Sequence, residues 1–434
     1  MTVPHLTTAL SGPLLDLERR MLEAMPRIEH WLRSQWLEHG APFYCSVDLR
    51  NSGFKISPVD TNLFPGGFNN LSAEFMPLCV QAAMTAVEKI CPEARGVLVV
   101  PESHTRNTYY LQNVSTLASI LRQAGMNVHV GTLIPDITAP TTLPLPDGTS
   151  LTLEPLQRKG NRLGVEGFDP CVVLLNNDLS GGVPAILENI EQVMMPPLHA
   201  GWKVRRKSRH FRAFEDVTRR FAELLGIDPW LINPHFGVCG KINFKEKRGE
   251  DCLAGWVDEL LTDIRAKYRE YDVKQDPFVI VKADAGTYGM GIMTVKDASE
   301  VRDLNRNQRK KMAVVKEGLE VSEVMVQEGV YTFESINDAV AEPVVYMIDH
   351  FVVGGFYRVH TGRGPDENLN APGMHFVPLA FEAPCCVADP LAVEPGSTPN
   401  RFYAYGVVAR LALLAAALEL EQTDPLAEHA EAAA

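Results

Sequence analysis

A lysine followed by three closely spaced glycines is the stretch of this sequence whose residue types most directly suggest chemistry. In FVIVKADAGTYGMGIMTV, residues 278–295, an apolar run ends in Lys282, and Gly286, Gly289 and Gly291 follow before a second apolar run. Because glycine has no Cβ, such a turn lets backbone N–H groups approach phosphate oxygens closely. A lysine at the end of the first strand can reach the same phosphates. The pattern predicts a phosphate-binding hairpin.

Two familiar glycine patterns do not fit this stretch. A dinucleotide-binding turn opens a helix, but the residues after Gly291 are IMTV, which favour a strand. A Walker-type loop needs a lysine and a hydroxyl residue directly after its last glycine, where this chain has Ile292. An ordinary glycine-rich hairpin without a ligand stays open as the alternative for this segment alone.

A second apolar strand, EVMVQEGVYTF at residues 323–333, ends in Gln327, Glu328 and Val330. A carboxylate at a turn after a strand is how a hinge can offer backbone groups to an adenine edge and a side chain to a ribose. Glu-Gly also makes ordinary turns, so this pattern is weak by itself. The next segment, AEPVVYMIDHFVVGGFYRVHT, predicts a β-hairpin that carries Arg358 near the end of its returning strand.

Taken in order, these features resemble the ATP-grasp superfamily: a lysine strand with a glycine flap, a strand with a Gln-Glu hinge, a hairpin ending in arginine, and the asparagine loop ENLNAPG. The hairpin and loop are similar in layout to part of bacterial glutathione synthetase. With SVDLRNSGFKISPVDTNLFPGGFNNL near the start and GWKVRRKSRHF in the middle, most of the chain resembles the proteobacterial glutamate–cysteine ligase family built on this fold.

This resemblance implies ATP and Mg²⁺ as cofactors and small-molecule substrates. The implied reaction is ATP-dependent ligation of L-glutamate, through γ-glutamyl phosphate, to the amine of L-cysteine. Its product is γ-glutamylcysteine, made in the first step of glutathione biosynthesis in the cytoplasm. Lys282 and Arg358 are then expected to neutralise charge during phosphoryl transfer, and the glycine flap to exclude water. Glutathione synthetase, or another ATP-grasp carboxylate–amine ligase, is the alternative within this class.

The magnesium ligands depart from the pattern of the superfamily. Familiar members carry an acidic residue and then an acidic-x-Asn triplet after the asparagine loop, where this chain has none. The N-terminal segment has such a set in Asp48, Asp60 and Asn62, and its oxygen ligands suit Mg²⁺. Our hypothesis is a circularly permuted arrangement in which N-terminal strands supply the metal site. A plain Asx turn at Asp60 and Asn62 is the alternative. In that case the next candidate ligands are Glu367, Asn368 and Asn370.

Basic groups are candidate partners for substrate anions, because the chain as a whole carries a net charge of −13. An arginine fork suits an α-carboxylate, so Arg50 and Lys55 are assigned to the substrate or to the acyl phosphate. Asn69 lies on the same N-terminal loop. Lys203, Arg206 and His210 are three and four residues apart and could share one face of a helix, although basic runs are usually solvated faces. The predicted substrate contacts are Arg50, Lys55, Asn69, Lys203, Arg206 and His210. The superfamily also carries a nucleotide lysine before the flap. Of Lys241, Lys245 and Lys247 in GVCGKINFKEK, Lys241 is the predicted one because its surroundings are more strand-like, and the alternative is that all three are surface charges.

These groups need a framework that brings distant segments together. The sequence alternates strand-like and helix-like patterns, and GVLVVPE, a helix and NVHVGTL form a βαβ unit. The predicted fold class is α/β (α+β): an ATP-grasp-like fold, permuted as above, with a small doubly wound parallel-sheet domain. Helices are expected near 14–38, 71–90, 108–124, 211–225, 253–271 and 402–421. The expected domains are 1–93 with the metal and substrate loop, 94–200 as a Rossmann-like domain, and 201–434 as the nucleotide-binding region.

Composition limits the function classes. With 434 residues, 46% of them hydrophobic, the chain can bury two or three cores. The negative charge argues against a nucleic-acid surface. The apolar stretch 407–420 is interrupted by Arg410 and is expected to be too short for a membrane span, which predicts a soluble cytoplasmic protein with no membrane partner. The eight cysteines form no CxxC pair and are expected to be reduced core residues. The sequence leaves a homo-oligomer open.

Two function classes outside the ligases remain as rivals. A non-catalytic nucleotide-binding module would keep the glycine flap and lack metal ligands. An NAD-dependent enzyme would use the βαβ unit within 94–200, but the turn after its first strand, SHTRNTYY, contains no glycine.

Overall fold

The computed structural model describes residues 6–7, 12–286, 291–314, 320–379 and 401–425. The strands are β1 (Leu6–Thr7), β2 (Tyr44–Asn51), β3 (Ile56–Asn62), β4 (Gly96–Pro101), β5 (Asn127–Thr132), β6 (Thr141–Pro144), β7 (Ser150–Pro155), β8 (Gln157–Lys159), β9 (Arg162–Gly164), β10 (Val172–Asn176), β11 (Val193–Met195), β12 (Phe236–Gly240), β13 (Val279–Ala283), β14 (Ile292–Val295), β15 (Glu323–Glu328), β16 (Ser335–Ile336), β17 (Ala339–Ile348), β18 (Phe351–His360) and β19 (His375–Pro378).

The α-helices are α1 (Pro13–Glu23), α2 (Met25–Glu38), α3 (Met76–Ile90), α4 (Thr108–Gln123), α5 (Lys207–Leu225), α6 (Glu250–Glu270), α7 (Ser299–Arg302), α8 (Arg306–Met312) and α9 (Arg401–Gln422). Short 3₁₀ helices occupy Phe68–Asn70, Ala73–Phe75, Ala185–Leu187, Leu198–Ala200 and Pro229–Leu231. The single helix expected over 14–38 is two helices, because Pro26 has no backbone N–H and is favoured in the first turn of a new helix.

The largest sheet joins the two ends of the chain. Strand β17 pairs antiparallel with β18, and its other edge pairs with β2, which in turn pairs with β3. The register places Asp48 opposite Asp60, and Glu342 opposite Arg358. Since cross-strand partners point to the same face of a sheet, this pairing aligns four charged side chains that are far apart in sequence.

The glycine flap starts from a smaller, fully antiparallel sheet in the order β12-β15-β13-β14. Lys282 lies near the end of β13, and β13 pairs antiparallel with β14, so the predicted pair of strands on either side of the glycines is confirmed. Residues 287–290 lie outside the described residues. Gly286 and Gly291 have φ values of 105° and 63°, which glycine adopts readily. Gly289 lies outside the described residues.

The third sheet has the order β11-β10-β4-β5-β7-β6, parallel except for β6. Its order reverses between β4 and β10, as in doubly wound sheets. Helices α3 and α4 cover one face, where Val97 and Val99 belong to the same core as these helices. The other face, with Leu98 and Val173, joins the core of the larger sheets. The predicted doubly wound sheet is therefore present, but α3 and α4 cover only one of its two faces.

Helix α9 lies in the principal core and packs against α5 and β3. In the described part of the chain, its residues Phe402–Gln422 are long and apolar enough to cross a membrane, and 89% of their most apolar window is buried inside the protein. The apolar helix is thus longer than the stretch 407–420 predicted from the sequence. Buried core helices of soluble proteins meet the same criterion of length and composition. Three of the described cysteines, Cys45, Cys79 and Cys239, are buried, whereas Cys252 is exposed. Cys385 and Cys386 lie outside the described ranges.

Candidate active site

A cavity of about 810 Å³, including space that opens to solvent, lies where the flap sheet meets the largest sheet. One wall comes from the flap sheet, including β15, which ends in the hinge. The other wall comes from β2, β3, β17 and β18. The residues that line it are Asp48, Arg50, Val59, Asp60, Lys207, Ile280, Lys282, Ala283, Gly286, Ile292, Gln327, Glu328, Val330, Glu342, Arg358, Asn368 and Asn370.

Lys282 is a buried basic side chain on the wall formed by the flap sheet, with 5% of its surface exposed. Its Nζ donates to the backbone oxygen of Val59 at 2.7 Å and to Oε1 of Gln327 at 2.8 Å. Val59 is the residue that a β-bulge leaves unpaired between Asp60 and Pro58, and bulges often turn groups towards a site. Burial and the positive charge of Lys207 lower the pKa of Lys282 to about 7. An anion in the cavity would stabilise its charged form.

The two polar side chains of the hinge at the end of β15 differ: Gln327 has a free donor at the cavity, whereas Glu328 is bonded within the protein. Among the described residues, Nε2 of Gln327 is buried and has no hydrogen-bond partner, so it can donate to a ligand. The carboxylate of Glu328 instead accepts from Lys55, from Trp230 Nε1 at 3.1 Å and from the backbone N–H of His235 at 3.0 Å. Glu328 lines the cavity, but its oxygens are engaged away from a ribose.

Lys55, a predicted substrate contact, lies outside the cavity and is paired within the protein. Its side chain is 0% exposed and lies outside the cavity lining. Its Nζ donates to both oxygens of Glu328 at 3.0 Å and to the backbone oxygen of Asn233 at 3.1 Å, and it lies 4.3 Å from the ring centre of Trp230. A fully buried ammonium requires an opposite charge, which explains why Lys55 turns towards the hinge.

The opposite wall carries a row of charges on one face of the largest sheet. Nη1 of Arg358 donates to Asp48 at 2.8 Å and to Glu342 at 2.5 Å, while its buried Nε has no partner among the described residues. Burial opposes the charge of Arg358, but Asp48 and Glu342 outweigh it and raise the pKa of the guanidinium. Burial also raises the pKa of Asp48, although Arg358 opposes that shift. Arg358 therefore stays charged beside two acids.

Asp60 lies next to this row and faces two lysines. Its Oδ1 accepts from Lys207 Nζ at 2.6 Å. Although burial alone would raise it, the ammonium groups of Lys207 and Lys282 lower the pKa of Asp60 to about 2. The cavity therefore contains a carboxylate that remains ionised throughout the neutral range.

The donor set suits a hard divalent cation that is shared with phosphates. In the described chain, no three histidine, cysteine or acidic side chains form a metal cage by themselves. Asp48 uses Oδ2 and Asp60 uses Oδ1 in the ion pairs above, which leaves one oxygen of each for another ligand. Mg²⁺ commonly takes one or two carboxylates and completes its shell with water and phosphate oxygens. The two aspartates fit that role, and the amides of Asn368 and Asn370 also line the cavity.

Asn62 and Arg50, two more predicted residues of the N-terminal strands, bond to other parts of the protein. Asn62 lies outside the cavity lining, and its Oδ1 accepts from the backbone N–H of Phe64 at 2.9 Å, so the Asx-turn alternative holds for this residue. Arg50 does line the cavity, but its guanidinium is already engaged. It donates to Glu342 at 3.2 Å and to the backbone oxygens of Val330 and Glu367. Arg50 thus ties the hinge to the asparagine loop, and Glu367 itself turns away from the cavity.

The remaining predicted contacts lie away from the cavity. Helix α5 starts at Lys207, so Lys203 and Arg206 precede it and the proposed helical face does not exist. Arg206 pairs with Glu323 at 2.9 Å, and His210 is buried beside Glu419 at 3.2 Å. In the first turn of α5 it is Lys207 that lines the cavity. Lys203 is exposed.

Lys241 and Asn69 also lie away from the cavity. Lys241 is exposed beyond the end of β12 with a φ of 61°, so it leaves the strand instead of continuing towards the cavity. Asn69 lies in a 3₁₀ helix outside the cavity lining.

Sequence reasoning missed Lys207 and Glu342. Lys207 belongs to the basic cluster 201–212, but only the start of α5 distinguishes it from its neighbours. Glu342 lies on the predicted hairpin, but a turn at Asp349 and His350 alone would set it opposite Tyr357. The register shift between Tyr346 and Met347 moves it opposite Arg358, and the sequence analysis had no signal for that shift.

Comparison with known proteins was made on the whole chain. A family model described as glutamate–cysteine ligase matches residues 18–420. The crystal structure of a protein from Methylobacillus flagellatus KT, proposed to be a gamma-glutamylcysteine synthetase, has a TM-score of 0.90 and 69% sequence identity. That match covers 98% of this chain and 100% of the other. No curated protein sequence matches the chain.

Two more solved structures are distant. A glutathione synthetase-like effector from Globodera pallida has a TM-score of 0.37 and 10% identity, over 80% of this chain and 79% of the other. D-alanyl-alanine synthetase A from Vibrio cholerae has a TM-score of 0.32 and 9% identity, over 73% and 80%. Neither likeness is close enough to show a shared fold.

Proposed function

The chain belongs to the glutamate–cysteine ligase family, and from that premise we propose that its cavity joins L-glutamate to L-cysteine in an ATP-dependent reaction that yields γ-glutamylcysteine. The supporting observation is the meeting of two walls in one cavity. A buried lysine, a free amide donor and glycine backbone lie on one side, and Asp48, Asp60 and Arg358 lie on the other. A nucleotide, a divalent cation and a carboxylate substrate need this combination.

The reaction requires activation of the γ-carboxylate of glutamate, because a carboxylate is a poor electrophile. Transfer of the terminal phosphoryl group of ATP gives γ-glutamyl phosphate, which cysteine can attack with its amine while phosphate leaves. Phosphoryl transfer depends mainly on positioning and charge neutralisation, and no nucleophilic side chain is required.

Four polar groups of the cavity have roles in this scheme. Lys282 and Lys207 approach the triphosphate as ammonium groups, and Gln327 Nε2 donates to the nucleotide. Arg358, held between Asp48 and Glu342, faces the charge that develops on the transferred group. The apolar side chains of Ile280, Ile292 and Val330 line the same cavity and limit the access of water to the acyl phosphate.

Asp48 and Asp60 would hold Mg²⁺, and the amides of Asn368 and Asn370, which line the same cavity, could add ligands. The cation supplies charge neutralisation between the phosphates and these carboxylates. The aspartates come from N-terminal strands that pair beside β17, which supports a circularly permuted ATP-grasp arrangement. On that view residues 1–93 complete the nucleotide-binding region of 201–434, and 94–200 form a separate domain.

The enzyme is proposed to act in the cytoplasm on glutamate, cysteine and ATP, with no nucleic-acid or membrane partner. A homo-oligomer is compatible with this function. The test is phosphate release from ATP by purified protein with pairs of substrates. Release that requires both glutamate and cysteine supports the proposal. Release only with γ-glutamylcysteine and glycine would identify glutathione synthetase activity instead.

A further inference from the structure

The N-terminus of helix α5 receives its cap from a distant residue. The N-cap residue Arg206 makes no side-chain capping bond. Instead, Asp284, which follows β13 directly, accepts from the backbone N–H of Ser208 with Oδ1 at 2.8 Å and from the Ser208 hydroxyl with Oδ2 at 2.7 Å. Its backbone oxygen accepts from the N–H of Lys207 at 2.8 Å. One residue thus satisfies two of the orphan amides of α5.

Asp284 is itself firmly placed. Its side chain is almost fully buried, with 2% of the residue exposed, and its backbone N–H donates to Glu323 at 3.1 Å. A carboxylate at a helix N-terminus is favoured by both the free N–H groups and the helix dipole. The contact therefore joins the end of β13 and the start of α5 into one unit.

This unit fixes two ammonium groups of the cavity. Lys282 lies two residues before Asp284 on β13, and Lys207 is the first residue of α5. The ammonium of Lys207 is also held by Asp60 at 2.6 Å and lies 4.3 Å from the ring centre of Trp202. Displacing the first turn of α5 would move Lys207 relative to Lys282 and Asp60.

We propose that Asp284 is a positioning residue for the nucleotide, which acts by capping α5 and so holding Lys207 beside Lys282 and Asp60. Asp284 does not line the cavity, whereas Lys207, Lys282 and Ala283 do. It therefore acts through these neighbours and touches no phosphate itself. This inference rests on the proposed function, because it assumes that the cavity receives a triphosphate.

The test measures binding of a non-hydrolysable ATP analogue with Mg²⁺ by calorimetry. The KM for ATP and kcat are measured separately by phosphate release. We expect Asp284→Ala to weaken analogue binding about tenfold or more and to raise the KM for ATP, because Lys207 loses its fixed position. Asp284→Asn should bind within about threefold of the wild type, since an asparagine oxygen can still accept from the Ser208 N–H. Ser208→Ala removes the hydroxyl bond alone and should fall between them.

The variant Lys207→Met shows whether Asp284 acts through the lysine. If it does, adding Asp284→Ala to Lys207→Met weakens binding little further. Fully additive losses, or an Asp284→Ala protein that melts at a lower temperature but binds the analogue like the wild type, would overturn the inference. Should Asp284→Ala fail to fold, Ser208→Ala, alone and combined with Lys207→Met, carries the same comparison with Asp284→Asn as its control. A wild type that binds the analogue without releasing phosphate for glutamate and cysteine would defeat the proposed function and leave this inference standing.

Discussion

At the scale of single residues, the cavity consists of charges that hold one another in place. Arg358 lies between Asp48 and Glu342, and Lys207 lies against Asp60. Charges this close to the protein interior lose solvation, so each needs a partner of opposite sign. The arrangement also pre-sets the groups before substrate arrives, which lowers the reorganisation needed during the reaction.

Arg358→Lys tests the fork that bridges two acids. A lysine keeps the charge but cannot present a planar guanidinium to Asp48 and Glu342 together. We expect kcat to fall about 100-fold or more, measured as phosphate release with glutamate and cysteine. Arg219→Lys is the matched control, because Arg219 pairs with Asp216 on the exposed surface of α5. Equal activity of the two variants would contradict the role of Arg358.

Asp60→Asn separates the metal hypothesis from a purely structural role. Loss of one carboxylate charge should raise the Mg²⁺ concentration for half-maximal activity about tenfold or more. Asn62→Ala is the comparison, since Asn62 only bonds the backbone of Phe64, and its Mg²⁺ requirement should match the wild type. A shift for Asn62→Ala and none for Asp60→Asn would reverse the assignment. Removal of Mg²⁺ by a chelator should abolish turnover in all variants.

At the scale of elements, strand β15 and the loop between β2 and β3 are joined behind the cavity. The Lys55–Glu328 pair is fully buried, and Trp230 and His235 donate to the same carboxylate. Removing both charges from such a pair can be nearly neutral, but removing one partner leaves a buried charge alone. The hinge therefore depends on a residue that is remote from it in sequence.

Lys55→Met should lower the free energy of unfolding by about 3 kcal/mol or more, because Glu328 loses its cation. Adding Glu328→Gln to this variant should restore part of the loss, since a neutral amide can remain hydrogen-bonded. Urea unfolding at neutral pH measures both effects. If the single and double variants are equally stable, the pair does not anchor the hinge.

At the scale of the whole molecule, α9 ties the C-terminal end of the described chain to the core. Arg205 bonds Glu419 of α9 at 2.9 Å and also the backbone oxygen of Thr61 at 2.8 Å, beside Asp60. The same guanidinium thus links α9, the segment before α5, and the strand that carries a proposed metal ligand. Burial alone would raise the pKa of Glu419, but Arg205 and His210 lower it to about 2.

This pair predicts an acid sensitivity with a definite sign. Because the folded pKa of Glu419 lies below its ordinary value of 4.5, its stabilisation is complete above pH 4.5 and is lost as pH falls towards 2. Glu419→Gln should cost about 3 kcal/mol at pH 7, since Arg205 is left unpaired. The difference in melting temperature between wild type and variant should shrink below pH 4.5. A difference independent of pH would show that the pair contributes through packing alone.

The local strands around the flap and hinge were predictable from local sequence. Lys282 and Gln327 lie on the neighbouring strands β13 and β15, and Arg358 lies on the predicted hairpin, so residue order and alternation were enough to assign each to its strand. That the hairpin of the largest sheet faces the flap sheet across one cavity was decided by tertiary structure. Asp48 and Asp60 were found as well, but only through resemblance to a family pattern.

Tertiary structure decided which charges enter the cavity. Lys55 and Arg50 are as basic as Lys207, yet burial turned the first towards Glu328 and the second towards Glu342 and the backbone. Lys207 was selected by the start of α5, which Asp284 sets from far away in sequence. The sequence by itself determined the residue types and the local strands and turns. Long-range pairing decided the rest, because a buried charge takes the partner that packing places beside it, and no local pattern records that partner.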